Sequence, residues 1–257
     1  MDMKLSFMTF VCPDWEMEKI VKFAKEAGYA GVEFRVDCGH KHGISSQSTA
    51  AERKRARTMF RDGGVEIPCV ATSVQMATPD QAKHREHITA AKANLDLAAD
   101  LGAKVVRIFA GGGREVLTAE AADQVAAAFD EVGEYAKKSG VCPMLECAHD
   151  IIKGAAEAGE VIRRVTTKNF GALWNTSEMD DVTFDTLRPR LRHFHVHDEV
   201  LDPANSNILT IARRMKTIHF KGYVSLEIIH GQNLPEDLLR DTAARLNKFI
   251  AQAAAGK

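Results

Sequence analysis

Short apolar runs alternate with longer amphipathic ones along the whole chain, and no other feature narrows its fold as far. Residues 4–8, 31–36, 67–73, 105–109, 142–147, 171–174, 193–197 and 223–229 read as strands. Helical spacing fills the gaps between them. Met17, Ile20, Val21 and Ala24 recur on one stripe after Asp14, read as an N-cap. Ile88, Ala91, Leu95 and Ala98 do so within 80–101, and Leu239, Ala243, Leu246 and Ile250 within 235–254. Further helices are expected at 48–62, 118–139, 154–165 and 205–218, with a short one around 183–187. Eight strands alternating with eight helical segments predict a parallel (β/α)8 barrel, and the length of 257 residues is typical of one. No Pro/Gly/Ser-rich linker or shift in composition divides the chain, so a single domain over 1–257 is expected.

A second regularity runs through the first. Gly28 precedes Glu33 by five positions, Gly102 precedes Arg107 by five, Gly140 precedes Glu146 by six and Gly222 precedes Glu227 by five. Each glycine closes a helix, an apolar strand follows, and a charge stands near the strand's far end. A charge is costly there unless it lies at the open C-terminal face of a barrel, where ligands bind. The competing reading makes some of these residues ion-paired plugs of the barrel lumen, such as Glu33 with Arg107.

Bulk properties exclude several partners. The formal net charge of −1 argues against a nucleic-acid backbone or an anionic membrane as the main partner. No apolar run reaches the roughly 18–20 residues that span a bilayer, and the first residues lack a signal peptide's apolar core. Five cysteines without a C-x-x-C pair fit reduced thiols, so a cytoplasmic protein is expected.

The densest block of ligand-type side chains is Arg192-His193-Phe194-His195-Val196-His197-Asp198-Glu199. On a strand its three histidines share one face, which calls for a polar lumen or the mouth of a site. The other strand ends add Glu146 with His149, Asn175 with Glu178, and Glu227 with His230. Two carboxylates, an imidazole and an amide oxygen on one axis describe a divalent-metal site of mixed oxygen and nitrogen ligands. No cysteine belongs to the set, so Mn²⁺ or Mg²⁺ suits it, with Zn²⁺ left open. His40 and His42 lie in the second βα loop, on the site's side, where substrate contact competes with a solvated loop. Gly111-Gly112-Gly113-Arg114 lacks the spacing of a P-loop or dinucleotide fingerprint and reads as a mobile site loop. Trp15 and Trp174 read as packing, and the Arg53–Arg57 run as a solvated helix face.

These residues in this order resemble the xylose isomerase-like TIM barrels, a family of sugar phosphate isomerases and epimerases. The resemblance is carried by Gly28-Tyr29-Ala30-Gly31-Val32-Glu33, Leu145-Glu146, His195-Val196-His197-Asp198 and Gly222-Tyr223-Val224-Ser225-Leu226-Glu227, and it covers essentially the whole chain. It implies that Glu146 and Glu227 bind the metal and move the substrate proton, and that His195 is a further ligand. The family's sixth strand usually carries Asp-x-x-His, where this chain has Asn175-Thr176-Ser177-Glu178. Asn175 is then expected to offer its amide oxygen to the metal, and Glu178 to stand near the substrate in place of the histidine. A weakened metal site is the alternative. Leu201 occupies the place where epimerase branches hold an arginine, so Arg107 or Arg114 would have to serve instead.

The expected function is a metal-dependent sugar isomerase or epimerase that moves a proton next to a carbonyl through an enediolate. Its partner would be a small sugar or polyol, with a homo-oligomer left open. The expected catalytic residues are Glu146 and Glu227, and the metal ligands Glu146, Asn175, His195 and Glu227. Arg107, His40, His149, Glu178 and His197 are expected to bind substrate. A dehydratase of inosose type and a non-catalytic sugar-binding barrel are the rivals. An abasic-site endonuclease of the same family would need more histidines and a basic groove.

Overall fold

The structure, a computed structural model, describes residues 2–229 and 234–256. Eight strands close into a barrel in sequence order, each parallel to its neighbours: β1 (Lys4–Met8), β2 (Gly31–Arg35), β3 (Cys69–Gln75), β4 (Val105–Phe109), β5 (Cys142–Cys147), β6 (Gly171–Trp174), β7 (Leu191–Val196) and β8 (Tyr223–Leu226). The helices around them are α1 (Met17–Ala27), α2 (Ala50–Gly63), α3 (Gln81–Leu101), α4 (Ala119–Ala136), α5 (Ala155–Arg164), α6 (Asp181–Leu187), α7 (Asn207–Thr217) and α8 (Glu236–Ala255).

Local chemistry sets the boundaries. Thr49 and Glu52 form a reciprocal capping box at the start of α2, and the side chains of Asp80, Thr118 and Asp180 accept from the first-turn amides of α3, α4 and α6. Gly28 and Gly102 end α1 and α3 in the left-handed region, at φ 82° and 84°, so each chain reversal into a strand has the residue it needs. Helix α1 begins later than Asp14 suggests. A 3-10 turn, Thr9–Val11, follows β1, and the Trp15 amide bonds Cys12, so the helix starts only after Glu16. Strand β3 starts at Cys69 and not at Ile67, because Pro68 has no amide to give the ladder.

Two apolar regions result. Outward-facing strand residues pack under the helices in one large core, with Phe7, Phe23 and Tyr29 edge-on to one another or tilted. A separate small cluster of Cys69, Val105, Met144 and Leu173 fills the lumen beside β3 to β6. It forms an apolar floor below the C-terminal strand ends. A cavity of about 600 Å³ opens at the opposite, N-terminal pole, between residues such as Ile67, Leu101 and Tyr223, and reaches inward to His193. The cluster of strand-end carboxylates is no part of it. Gly31 is required at this pole, since a Cβ there would lie 2.9 Å from both the Tyr223 ring and Pro68.

Candidate functional site

Period-two alternation turns Glu33 and Arg35 of β2, Arg107 and Phe109 of β4, Glu146 of β5, His193 and His195 of β7, and Glu227 just past β8 into the lumen. All but Phe109 are buried. His195 stands at the centre. Its Nε2 lies 3.1 and 3.2 Å from the two Glu33 oxygens, and its Nδ1 lies 3.0 Å from both Glu146 Oε1 and Glu227 Oε2. His193, one layer deeper, donates from Nε2 to Glu33 Oε2 at 2.9 Å. Arg107 closes the group from the side, its Nε 3.7 Å from Glu146 Oε2 and its Nη2 3.7 Å from Glu227 Oε1. Its Nη1 donates to the Thr72 carbonyl at 2.7 Å.

The charges hold one another in place. Burial alone would push Glu33 up, but the charges and hydrogen bonds of His195 and His193 outweigh it and hold the carboxyl well below its usual range. Burial likewise works against Glu227, and His195 and Arg107 still bring it down to about 2. His195 moves the opposite way. Burial would lower it, and the surrounding glutamates raise it well above an ordinary imidazole.

The donor set fits a divalent cation. One ligand atom from each of Glu146, His195 and Glu227 lies within 4.8 Å of the others. Glu146 Oε2 and Asn175 Oδ1 are buried without a hydrogen-bond partner among the described residues, which is the condition of atoms waiting for a ligand. Glu33 accepts from His195 Nε2, so the Nδ1 of a neutral His195 would turn a lone pair toward Glu146 and Glu227. That is the carboxylate–histidine arrangement that fixes a metal-binding tautomer. Glu33, His193 and His195 form a second group of similar spacing, but there both carboxylate oxygens are already bonded to imidazoles.

The remaining sequence-derived residues divide. Asn175 follows β6 directly, and its amide bonds Cys147 at 3.0 Å, next to the end of β5. Glu178 is exposed, and its side chain has no partner among the described residues, while its carbonyl accepts from Trp174 Nε1. His40 is half-buried at the mouth, with Nδ1 3.1 Å from Thr9 Oγ1. His149 is exposed and stacked on Phe109 at 4.7 Å, between Ala148 and Asp150, which both take positive φ (61° and 55°).

Two residues expected to face substrate are placed otherwise. The ring nitrogens of His197 meet the carbonyls of Glu227 at 2.8 Å and Asn175 at 3.2 Å, so this ring ties together the ends of β6, β7 and β8. Arg107 is 1% exposed and lies 3.7 Å from Glu146 and Glu227, not beside Glu33, with which the plug reading would pair it. The glycine loop is no open cradle either. A Cβ on Gly111 would fall on the Asp150 carboxylate, so the loop's bareness makes room for that side chain. His230 lies outside the described residues.

Arg35 was the residue missed. Its guanidinium sits beside the mouth, held by the carbonyls of Val36 and Ala71 and by Ser73 Oγ. The signal was available, because Glu33-Phe34-Arg35 places two charges on one face of a strand that otherwise reads as apolar.

Among the described residues no helix is long and apolar enough to cross a membrane. A sequence comparison with curated proteins finds no match. Solved structures do match. The 3-keto-D-glucoside 4-epimerase of E. coli, in its apo form, superposes with a TM-score of 0.80 at 15% identity, over 96% of this chain and 100% of that one. An L-ribulose 3-epimerase gives 0.82 at 17% identity, over 99% and 96%. A probable 3-DHS dehydratase involved in petrobactin synthesis in Bacillus anthracis gives 0.72 at 16%, over 95% and 99%. At these identities the likeness shows a shared fold. A family model described as xylose isomerase-like TIM barrel matches residues 21–249, and on that match the chain belongs to the xylose isomerase-like TIM barrel family.

Proposed function

We propose that this protein is a divalent-metal-dependent epimerase or isomerase of a keto sugar, moving a proton on the carbon next to a carbonyl. One observation carries the reading. Glu146 and Glu227 reach the same imidazole nitrogen of His195 at 3.0 Å from two different strands, with Arg107 fixed behind both. Two carboxylates brought to one point from different strands suit a reaction that removes a proton and returns it. The named activities of the solved epimerases that share the fold support the same class.

The residues would divide the work as follows. Glu146, Asn175, His195 and Glu227 would hold a divalent cation, Mn²⁺ or Mg²⁺ being best suited to this set. When bound, the cation supplies positive charge beside the substrate's carbonyl and adjacent hydroxyl oxygens. One of Glu146 and Glu227 takes the carbon-bound proton, and the other, or the same one, returns it to the enediolate. Arg107 stands 3.7 Å from both carboxylates and helps to hold Glu227 low. Glu33 holds the His195 ring. His40, His149 and Glu178 stand at the mouth, where they would meet sugar hydroxyls.

Proton NMR in D₂O across a panel of ketoses, with Mn²⁺ or Mg²⁺ added, tests this. At least one ketose should take up deuterium next to its carbonyl. Tight sugar binding with no exchange would instead favour a non-catalytic barrel, and a product with a new enone would favour the dehydratase chemistry named for one structural neighbour. Bound metal in wild type and Asn175→Asp tests the ligand set. Wild type should hold metal at working Mn²⁺ levels. A metal-free wild type whose Asp variant recovers the ion would overturn the role of the amide oxygen.

A further inference from the structure

We infer that Arg35 is a recognition residue for an anionic end of the substrate, so that the preferred ligand is a sugar acid or a phosphorylated sugar and not a neutral one. This rests on the proton-transfer reading and names its substrate class.

Arg35 is 9% exposed, yet among the described residues no carboxylate lies within ion-pairing distance of its guanidinium. Its neighbours only position it. Nη1 donates to the Val36 carbonyl at 2.6 Å and to the Ala71 carbonyl at 3.4 Å, and Nη2 donates to Ser73 Oγ. Carbonyls and a hydroxyl fix the plane of a guanidinium without neutralising it. The nearest mouth carboxylate in sequence, Asp37, accepts from Ser46 N and Oγ and from Asn94. The lumen glutamates already have their own partners in His193, His195 and Arg107.

Charge balance in the buried interior points the same way. Among the described residues its buried carboxylates are Glu33, Glu146 and Glu227, and its buried guanidiniums are Arg35 and Arg107. Three negative charges against two positive ones, with His195 neutral and a divalent cation beside it, would leave one positive charge without a partner. Arg35 is where that surplus meets the mouth. It lies one lumen layer above Glu33 on the same strand, with Phe10 at 5.7 Å and His40 beside that ring. A carboxylate or phosphate docked on Arg35 would sit at the mouth, on the same strand face as Glu33 and above it.

Calorimetric titration of metal-free and Mn²⁺-loaded protein with D-fructose, D-fructose 6-phosphate and 5-keto-D-gluconate tests the assignment. A charge-assisted bond of this kind is worth roughly a tenfold to hundredfold preference. The anionic probes are expected to bind at least about tenfold more tightly than D-fructose, and Arg35→Gln to bring that ratio close to one. The better of the two anions identifies phosphate or carboxylate. If Arg35→Gln does not fold, Arg35→Lys and Ser73→Ala serve, each expected to lower the ratio several-fold by loosening the guanidinium's fork. A ratio near one in wild type, or a ratio untouched by these variants, overturns the inference. Deuterium exchange on the same samples keeps the two readings apart. An Arg35-dependent preference without exchange would sink the proton-transfer reading alone, whereas exchange into D-fructose without any anion preference would sink this one alone.

Discussion

The lumen carries two polar layers built from the same residue types, and they differ in how fully their atoms are paired. In the lower layer both oxygens of Glu33 meet imidazoles, His193 at 2.9 Å and His195 at 3.1 Å. In the upper layer Glu146 Oε2, Arg107 Nε and Asn175 Oδ1 are buried with no hydrogen-bond partner among the described residues. Arg107 stops 3.7 Å short of both glutamates, beyond hydrogen-bond length. A buried unpaired polar atom costs about 1–3 kcal/mol. The fold bears that cost on the charged and amide groups of the upper layer, while beneath it Glu33 is fully paired and only the neutral hydroxyls of Ser6, Ser225 and Tyr223 are left without a partner among the described residues. The Glu33 carboxylate is therefore support, complete within the chain, and the carboxylate and amide oxygens of the upper layer are the part that a ligand completes.

The widest separation between the layers should appear when the upper carboxylates are neutralised. Glu146→Gln and Glu227→Gln each keep shape and lose the base, so deuterium exchange into a turned-over ketose should fall by roughly 10²–10⁴. Circular dichroism should show the fold intact. If either variant exchanges as fast as wild type, that carboxylate is not the base, and the contrast drawn from pairing loses its functional meaning there.

Glu33→Gln probes the lower layer by another route. An amide cannot accept from both His193 and His195 as the carboxylate does, and the His195 tautomer would be freed. Removing such an outer partner typically weakens metal affinity by roughly 10–100-fold. Loss of the buried charge also leaves the imidazoles underpaired, at about 3–5 kcal/mol of stability in the metal-free protein. Metal titration and thermal unfolding read the two effects separately. Unchanged Mn²⁺ affinity in Glu33→Gln would show that the lower layer is only filling.

The barrel was legible because hydrophobic period and helix stops are local. Gly28 and Gly102 stand next to the turns they permit, and Thr118 beside the helix it caps. The upper glutamates were legible for a related reason, since Glu146 and Glu227 break apolar strands six and five positions after a glycine, although α4 and α7 end earlier, at Ala136 and Thr217. What each side chain touches was not legible. His197 shares a strand face with His195, but its nitrogens are taken by two carbonyls contributed by β6 and β8, and no spacing within β7 encodes that. The competing reading that paired Arg107 with Glu33 fails for the same reason. Glu33, Glu146 and Glu227 are equivalent charges in the sequence, and only closure of the barrel decides that all three meet His195 while the last two alone come within 3.7 Å of the guanidinium.

Acid titration separates the lumen from the loop above it. Burial, then the charge of His40, pushes His42 down to about 4. Its Nδ1 accepts from the Ile44 amide at 3.1 Å, which leaves Nε2–H facing the Arg35 carbonyl, so a second proton would displace a bond. The folded chain thus binds this proton less readily than the unfolded one, whose histidine titrates near 6.5. Its contribution is fully present above about pH 6.5 and is lost as pH falls toward 4, roughly 2 kcal/mol of it between pH 7 and pH 5. Glu227, held down to about 2, loses its share only below the ordinary carboxylate range near pH 4. Denaturant unfolding at pH 7, 6 and 5 should therefore report chiefly the mouth loop, against a smaller change of opposite sign from His195, whose raised value makes its share grow as pH falls toward the ordinary imidazole range. His42→Gln should flatten that slope while leaving the steeper loss below pH 4 in place. A slope equally steep in the variant would place the acid-sensitive group elsewhere, and the division between a titrating mouth and an acid-resistant lumen would fail.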